Sequence, residues 1–409
     1  MSNRNSREPA LLLLPGSLWQ VALATKIKDL NYTLYVVDPN SDAPCFQYAD
    51  EHLQADIFDI EAIDGFVEQH PISGILSDEC DIATVLIAEL AERYGLPSIG
   101  VDISKLYSDK YLMRQFCSKY SIPTPNYQIC FTAEDAKQFL RKEERPIIIK
   151  PLDSNSSHGV FMIIAESQID DWFEESLSFS RTQKAVLAET YIEGTEFTID
   201  GIKTPENHFT LAISEKKHFK HNPNIASDLY FSQVNDEYDY GQLTAINDHF
   251  VKASDLPYGL THAEYKYNDG KFYLIEIGAR GGGNMISSHI APYISGHDTY
   301  KYLIECSVGA AEEEDFSIDD SLKSRVALLH FFDTPKKGGL VKAVQGLSIL
   351  EQDPSVIASQ LRFNVGDIIK KCDSDAARIG FYIGCCENAA ELETLITKID
   401  TEFKVLVES

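Results

Sequence analysis

One stretch constrains this chain more than any other: residues 261–284, THAEYKYNDGKFYLIEIGARGGGN. Asn268-Asp269-Gly270 is a turn signal between two β-rich runs, and it predicts a hairpin. A three-residue loop with Gly270 left-handed pairs Tyr267 with Lys271 and sets Glu264 opposite Leu274. Glu264 and Glu276 are then diagonal neighbours on one face. Tyr265, Tyr267, Tyr273, Ile275 and Ile277 line the other, core face. A two-residue Asp-Gly turn would instead split the glutamates across the sheet. Two carboxylates on one face repel unless something positive lies between them. Mg²⁺ held by one or two carboxylates and by phosphate oxygens is a natural filler, with two solvated glutamates on an edge hairpin as the plain alternative. Arg280 and Gly281-Gly282-Gly283 then set a fork-shaped cation beside exposed backbone N–H groups, which suits a developing oxyanion or a transferring phosphoryl group. A glycine run after a strand is otherwise a flexible loop.

A second stretch, residues 147–164, reads as strand, small-residue loop, strand. Lys150 ends the first strand, and Ser154-Asn155-Ser156-Ser157-His158-Gly159 follows. Small residues let backbone N–H groups converge on an anion, and a lysine at the strand end supplies a point charge for phosphate. It is not a Walker A loop, since GxxxxGK[ST] is absent and no helix follows.

Around these lie strands at 10–14, 33–37, 72–76 and 97–101, with helices at 19–30 and 80–94: a small parallel α/β unit. Its first turn has one glycine where a dinucleotide fingerprint needs three, so it reads as structural. A helix over 109–119 stops at Ile122-Pro123-Thr124-Pro125. Strands follow at 146–150, 159–164, 185–189 and 196–202, with a helix at 389–400 near the end. Residues 214–235 mix lysines, histidines and aromatics and read as a solvated basic loop or as the border of a substrate.

The 409 residues call for two or three domains, or one multi-part enzyme fold. A net charge of −27 argues against nucleic acid and anionic membrane as partners. Hydrophobic residues at 44% exclude global disorder. None of the eight cysteines forms C-x-x-C, which leaves reduced thiols and a cytoplasmic location as the expectation. No apolar run is long enough to span a bilayer.

Taken in order, Asp109-Lys110 with Arg114, Ile149-Lys150-Pro151, Ser156-Ser157-x-Gly159-Val160, Glu189 to Gly194, Glu196-Phe197, Glu264 and Glu276-x-x-x-Arg280 resemble the ATP-grasp superfamily of carboxylate–amine ligases over roughly residues 10–310. The string IEIGARGGG resembles the L-amino-acid (dipeptide) ligase branch. The resemblance implies a mixed α/β and α+β ATP-grasp fold with a Rossmann-like N-terminal domain. The expected division is 1–105, 106–190 (central subdomain), 191–310 (large subdomain with the metal site) and a C-terminal lobe at 311–409. It implies that Lys110 and Lys150 hold the α- and β-phosphates of ATP, and that Ser156, Ser157 and Gly159 cover them. It implies an adenine hinge from Glu189 through Tyr191 to Ile192, and a ribose carboxylate at Glu196. Mg²⁺, with Mn²⁺ as a substitute, would sit on Glu264 and Glu276, and Arg280 would steady the acyl phosphate and tetrahedral intermediate. Many members read E-x-N at the second metal ligand, whereas this chain reads Glu276-Ile277-Gly278. The expected activity joins a carboxylate to an amine through an acyl phosphate, releasing ADP and phosphate from a homodimeric enzyme. A biotin-carboxylase-like subunit and a silent ATP-binding regulatory protein are the alternatives.

Overall fold

The computed structural model describes residues 9–153, 158–181, 183–335, 338–372 and 377–408. The N-terminal part follows from its apolar runs. β1 (Ala10–Leu13) is buried along its whole length, and β2 (Thr33–Asp38) nearly so. With β3 (Glu51–Gln54) and β4 (Gly74–Leu76) they form a parallel sheet in the order β3-β2-β1-β4. Both faces are covered, by α1 (Val21–Asp29), α2 (Ile60–Gln69) and α3 (Asp81–Tyr94) among others. The strand expected at 97–101 does not form. Pro97 lacks a ladder N–H, residues 97–100 stay irregular, and α4 (Val101–Leu106) begins after Gly100 at φ +89°. α5 (Lys110–Tyr120) starts where Asp109 caps it, accepting the N–H groups of Tyr111 at 2.8 Å and Leu112 at 2.9 Å.

A second, antiparallel sheet has the order β5-β8-β6-β7. It comprises β5 (Tyr127–Cys130), β6 (Ile147–Pro151), β7 (Phe161–Ile163) and β8 (Val186–Thr190), backed by α6 (Ala133–Glu143) and α7 (Glu166–Ser178). The third sheet carries the hairpin. It begins with β9 (Thr195–Lys203), β10 (His208–Phe219) and β11 (Asn222–Ser232), continues after α8 (Tyr240–Ala253) with β12 (Gly259–Asn268) and β13 (Lys271–Gly278), and has eight strands in the order β13-β12-β9-β10-β11-β14-β18-β16. The segment 214–235, read as a loop, is mostly the paired strands β10 and β11. After α9 (Ala291–Ser295) and α10 (Thr299–Ser307), β14 (Val326–Phe331), β15 (Gly338–Gln345), α11 (Leu347–Gln352), β16 (Val356–Leu361), β17 (Ile368–Lys370), β18 (Gly380–Cys386), α12 (Ala389–Glu402) and β19 (Lys404–Glu408) complete the chain. β14, β16 and β18 extend the hairpin's own sheet, while β17-β15-β19 form a small separate one.

Candidate active site

The hairpin closes differently from the sequence expectation and still brings its glutamates together. Asn268 pairs with Lys271, so the loop has two residues, and Asp269 and Gly270 both have positive φ, at +47° and +80°. That is the mark of a type I′ turn, which the right-handed twist of strands favours. Such a turn alone would place Glu264 and Glu276 on opposite faces. A β-bulge between the Glu264 and Tyr265 positions adds one residue on β13, and Glu264 faces Glu276 directly. The core face is also corrected. Ala263, Tyr265, Phe272, Leu274 and Ile277 are buried, whereas Tyr273 and Ile275 are only half-buried.

Three rows of side chains cross the face that bears the glutamates. In the first, Glu196 on β9 faces Lys216 on β10 and Lys266 on β12. Thr198 faces Ser214 and Glu264, and Glu264 faces Glu276 in the second. The third sets His262 between Asp200 and Gly278. Rows two residues apart lie about 7 Å apart along a strand.

Each carboxylate has a cation. Glu196 accepts from Lys216, with Lys266 and His218 each at 3.6 Å. Burial opposes its charge, but Lys216 and its neighbours hold Glu196 far below the usual carboxylate range. Lys216 also reaches Glu264 at 3.2 Å, and Lys110 reaches Glu276 at 2.8 Å. Burial opposes the charge on Lys110 too, yet Glu276, Asp81 and Glu189 raise it above the usual lysine value. Across the cleft, Glu189 receives Arg114 and Lys150, each at 2.6 Å. Arg114 also donates to the carbonyl of Ile275, the bulge region, at 2.5 Å. Lys110 and Lys150 are drawn together because the Lys110 N–H donates to the Leu152 carbonyl at 2.9 Å. Lys150 is pulled down by burial and by the Arg114 and Lys110 charges, against the single carboxylate of Glu189. A buried network with surplus positive charge is an environment that an anion would relieve.

Among the other expected residues, Tyr191 places its ring 5.3 Å from the Lys266 ammonium, beside Glu196, and its N–H donates to the Pro146 carbonyl at 2.9 Å. Ile192 follows it, half-buried. Gly159, at φ +73°, packs under Phe179: a Cβ there would lie 2.8 Å from that ring. Ser156 and Ser157 lie outside the described residues.

Arg280 engages Asp81 through two nitrogens, at 2.6 and 2.9 Å, linking the hairpin to the N-terminal sheet. The glycine run beside it is not a row of exposed donors. Gly281 N–H donates to Asp78 at 2.7 Å, Gly282 N–H to Asp200 at 3.1 Å, and Met285 N–H to Glu79 at 3.2 Å. The glycines are there for close approach. A Cβ on Gly281 would sit 2.3 Å from the Ser287 Cβ, and one on Gly282 2.5 Å from an Asp200 oxygen. At Gly278, where the resemblance leads one to expect asparagine, the space is less tight: a Cβ there would lie 3.2 Å from Arg280 Cγ and 3.5 Å from Asp81. Burial, and then the Asp78 charge, push Glu79 well above the usual glutamate value. Asp81 stays low, because Arg280, Lys110 and His262 outweigh its burial. His262 Nδ1 donates to the Asp200 carboxylate at 2.9 Å.

The sequence reading missed Asp78, Glu79, Asp81 and Asp200 as parts of this site, and read Lys216 only as one of the basic residues of 214–235, not as the partner of Glu196 and Glu264. A signal existed for the first three: an acidic run, Ser77-Asp78-Glu79-Cys80-Asp81, at the carboxyl end of a parallel strand, where ligands of open α/β sheets gather.

Two opposed glutamates fit Mg²⁺, which takes one or two carboxylates and fills its shell with water and phosphate oxygens. Among the described residues no group of three or more His, Cys, Asp or Glu is arranged to hold a metal alone.

The ATP-grasp domain model matches residues 143–289, which include β6, β7 and β8 of the second sheet and the hairpin. Dapdiamide A synthase of Enterobacter agglomerans is 24% identical over 305 residues, 73% of this chain and 71% of that protein. The L-arginine-specific L-amino acid ligase of Bacillus subtilis is 23% identical over 316 residues, covering 76% and 74%. Among solved structures, an L-amino acid ligase from Bacillus licheniformis superposes with a TM-score of 0.84 at 18% identity, over 98% of this chain and 100% of that one. Residues 143–289 therefore match an ATP-grasp domain, and the chain as a whole has the ATP-grasp fold that this solved structure shares.

Proposed function

We propose that the protein is an ATP-dependent carboxylate–amine ligase that forms an amide or peptide bond with an amino-acid substrate. The observation that carries this is the constellation itself: two buried lysines, Lys110 paired with Glu276 and Lys150 with Glu189, the directly opposed pair Glu264 and Glu276, and Arg280 held by Asp81. It has the parts that phosphoryl transfer to a carboxylate needs.

In the reaction, a substrate carboxylate oxygen attacks the γ-phosphorus of ATP, the bond to ADP breaks, and an acyl phosphate forms. The amine nitrogen of the second substrate then attacks the acyl carbon. Phosphate leaves with the C–O bond electrons, and the amine proton passes to solvent. Lys110 and Lys150 bind the α- and β-phosphate oxygens as point charges. Tyr191 and Ile192 supply the adenine hinge beside Glu189, and Glu196 accepts from the ribose hydroxyls. The resemblance gives Ser156, Ser157 and Gly159 the role of binding the phosphates, where exclusion of water would protect the acyl phosphate. Mg²⁺, or Mn²⁺ with the same oxygen preference, would be held by Glu264 and Glu276 and would spread the charge of the transferring phosphoryl group. Arg280, oriented by Asp81, faces the oxyanion that develops when the amine adds.

The four-part division at 105/106, 190/191 and 310/311, a cytoplasmic location and a homodimer belong to the same reading. No helix among the described residues is long and apolar enough to cross a membrane. The test is to supply purified protein with Mg²⁺, ATP and pairs of amino acids and to follow phosphate and ADP. Amide formed with ADP and phosphate in equal amounts is expected, and AMP as the sole nucleotide product would overturn the mechanism.

A further inference from the structure

A groove of about 710 Å³ runs between α1 and the segment from Met285 to Tyr300. That volume is in the range of small-ligand sites. We propose that it receives a bulky apolar side chain of one of the two substrates, with Met285 setting the length that fits. The assignment rests on the ligase reading above.

The wall is apolar where it matters: Leu18, Trp19, Ala22, Met285, Pro292 and the Tyr300 ring contribute to it. Its polar groups largely satisfy one another. Ser288 and His289 pair at 2.7 Å, and burial depresses the imidazole pKa, which favours its neutral form. Lys26 and Asp298 form an ion pair that ties α1 to the N-terminal cap of α10. Thr25, Asp29 and His297 also line the groove, Asp29 as an exposed carboxylate, and the apolar part of the wall is the surface that an apolar side chain would cover.

The groove adjoins the reacting loop. Ser287 packs against Gly281 too closely for a Cβ, and its hydroxyl lies 3.5 Å from the Tyr300 hydroxyl. The groove wall is therefore about one side chain away from the loop that carries Arg280. Between them Asn284 and Met285 are consecutive left-handed residues, at φ +56° and +65°. Such strain persists where surrounding contacts fix it, and it gathers at functional sites. Here the contact is Glu79, itself at φ +54°, which accepts the Met285 N–H. The N-terminal sheet thereby sets the backbone of Met285, whose side chain lines the groove.

Trp19 allows a test that does not depend on turnover. The chain's other tryptophan, Trp172, stacks on Phe161 in the second sheet and is removed by Trp172→Phe. In that background, L-phenylalanine or L-leucine should change Trp19 fluorescence saturably, at least tenfold more tightly than L-alanine. Ala22→Phe should abolish the response. In turnover, Ala22→Phe and Met285→Trp should each lower the ratio of kcat/KM for phenylalanine to that for alanine at least tenfold. A silent Trp19, or an unmoved ratio in a variant that still binds ATP, overturns the groove assignment. A Trp19 response without ligation of any amino-acid pair overturns the ligase reading instead.

Discussion

Arg114, Lys150 and Glu189 put two cations on one carboxylate at 0%, 4% and 3% exposure, so each group depends on the others. Glu189→Gln leaves two buried cations without their anion, and should cost about 3–5 kcal/mol in denaturant unfolding. The pH dependence has a definite sign. Burial would raise the Glu189 pKa, but Arg114 and Lys150 hold it below the unfolded value of 4.5. Its stabilisation is therefore present above about pH 4.5 and is lost as pH falls through the folded value, so the acid limb should be shallower in Glu189→Gln. Glu79 works in reverse, because its folded pKa is raised. The native state keeps a proton that the unfolded chain releases, so stability falls as pH rises above 4.5. Glu79→Gln should flatten that slope. At the site, Glu276→Gln replaces one oxygen of a proposed metal ligand and removes the negative charge 2.8 Å from the Lys110 ammonium. Turnover at saturating ATP should drop at least 100-fold, about 2.7 kcal/mol in the barrier, with a smaller change in nucleotide affinity by calorimetry. The residue types of this site were readable in the sequence, since a lysine ending a buried strand and a hairpin glutamate each carry a local reason. Their partners were not. Asp78 meets Gly281 across 203 residues of chain, and no local pattern reports such a contact.

The hairpin shows how an element can be right in outcome and wrong in detail. The sequence expectation used a three-residue loop to keep both glutamates on one face, with a two-residue loop separating them. The structure uses the two-residue loop and a bulge, and the two changes in register cancel. The turn had a signature in Asp269-Gly270, but a bulge in a run of ordinary strand residues has none. Gly270 is the position where this geometry tolerates only small change, as its φ is +80°. Gly270→Ala should cost about 1–2 kcal/mol in chemical denaturation, with ligation per folded molecule retained, because the turn is remote from Arg280 and only its register matters. The segment 214–235 was misread for a related reason. Its strand pair carries polar residues on the cleft face, so alternation looks like a charged loop until Glu196 and Glu264 are seen to pair with Lys216.

At the scale of the whole molecule, the site is a junction. β4's end supplies Asp78, Glu79 and Asp81, the second sheet supplies Lys150 and Glu189, and the eight-stranded sheet supplies the glutamates and Arg280. The opening α/β unit and the hairpin could be read from periodicity, but the docking of three sheets on one cleft could not, because it depends on contacts between distant segments. That arrangement makes ligand binding and overall stability one quantity. A nucleotide that binds only the assembled cleft stabilises it by about 2.7 kcal/mol at 100 times its dissociation constant. MgATP should therefore raise the melting temperature in a concentration-dependent way. Lys150→Ala should remove most of that shift, since it deletes the cation for which Glu189 offers the only carboxylate at ion-pair distance among the described residues. Asp81→Asn should behave differently. It loosens Arg280 and the link to the N-terminal sheet while leaving the proposed nucleotide contacts in place, so the MgATP shift should persist from a lower starting temperature as amide formation falls. A full shift in Lys150→Ala, or its loss in Asp81→Asn, would mean that the phosphates sit elsewhere in the cleft.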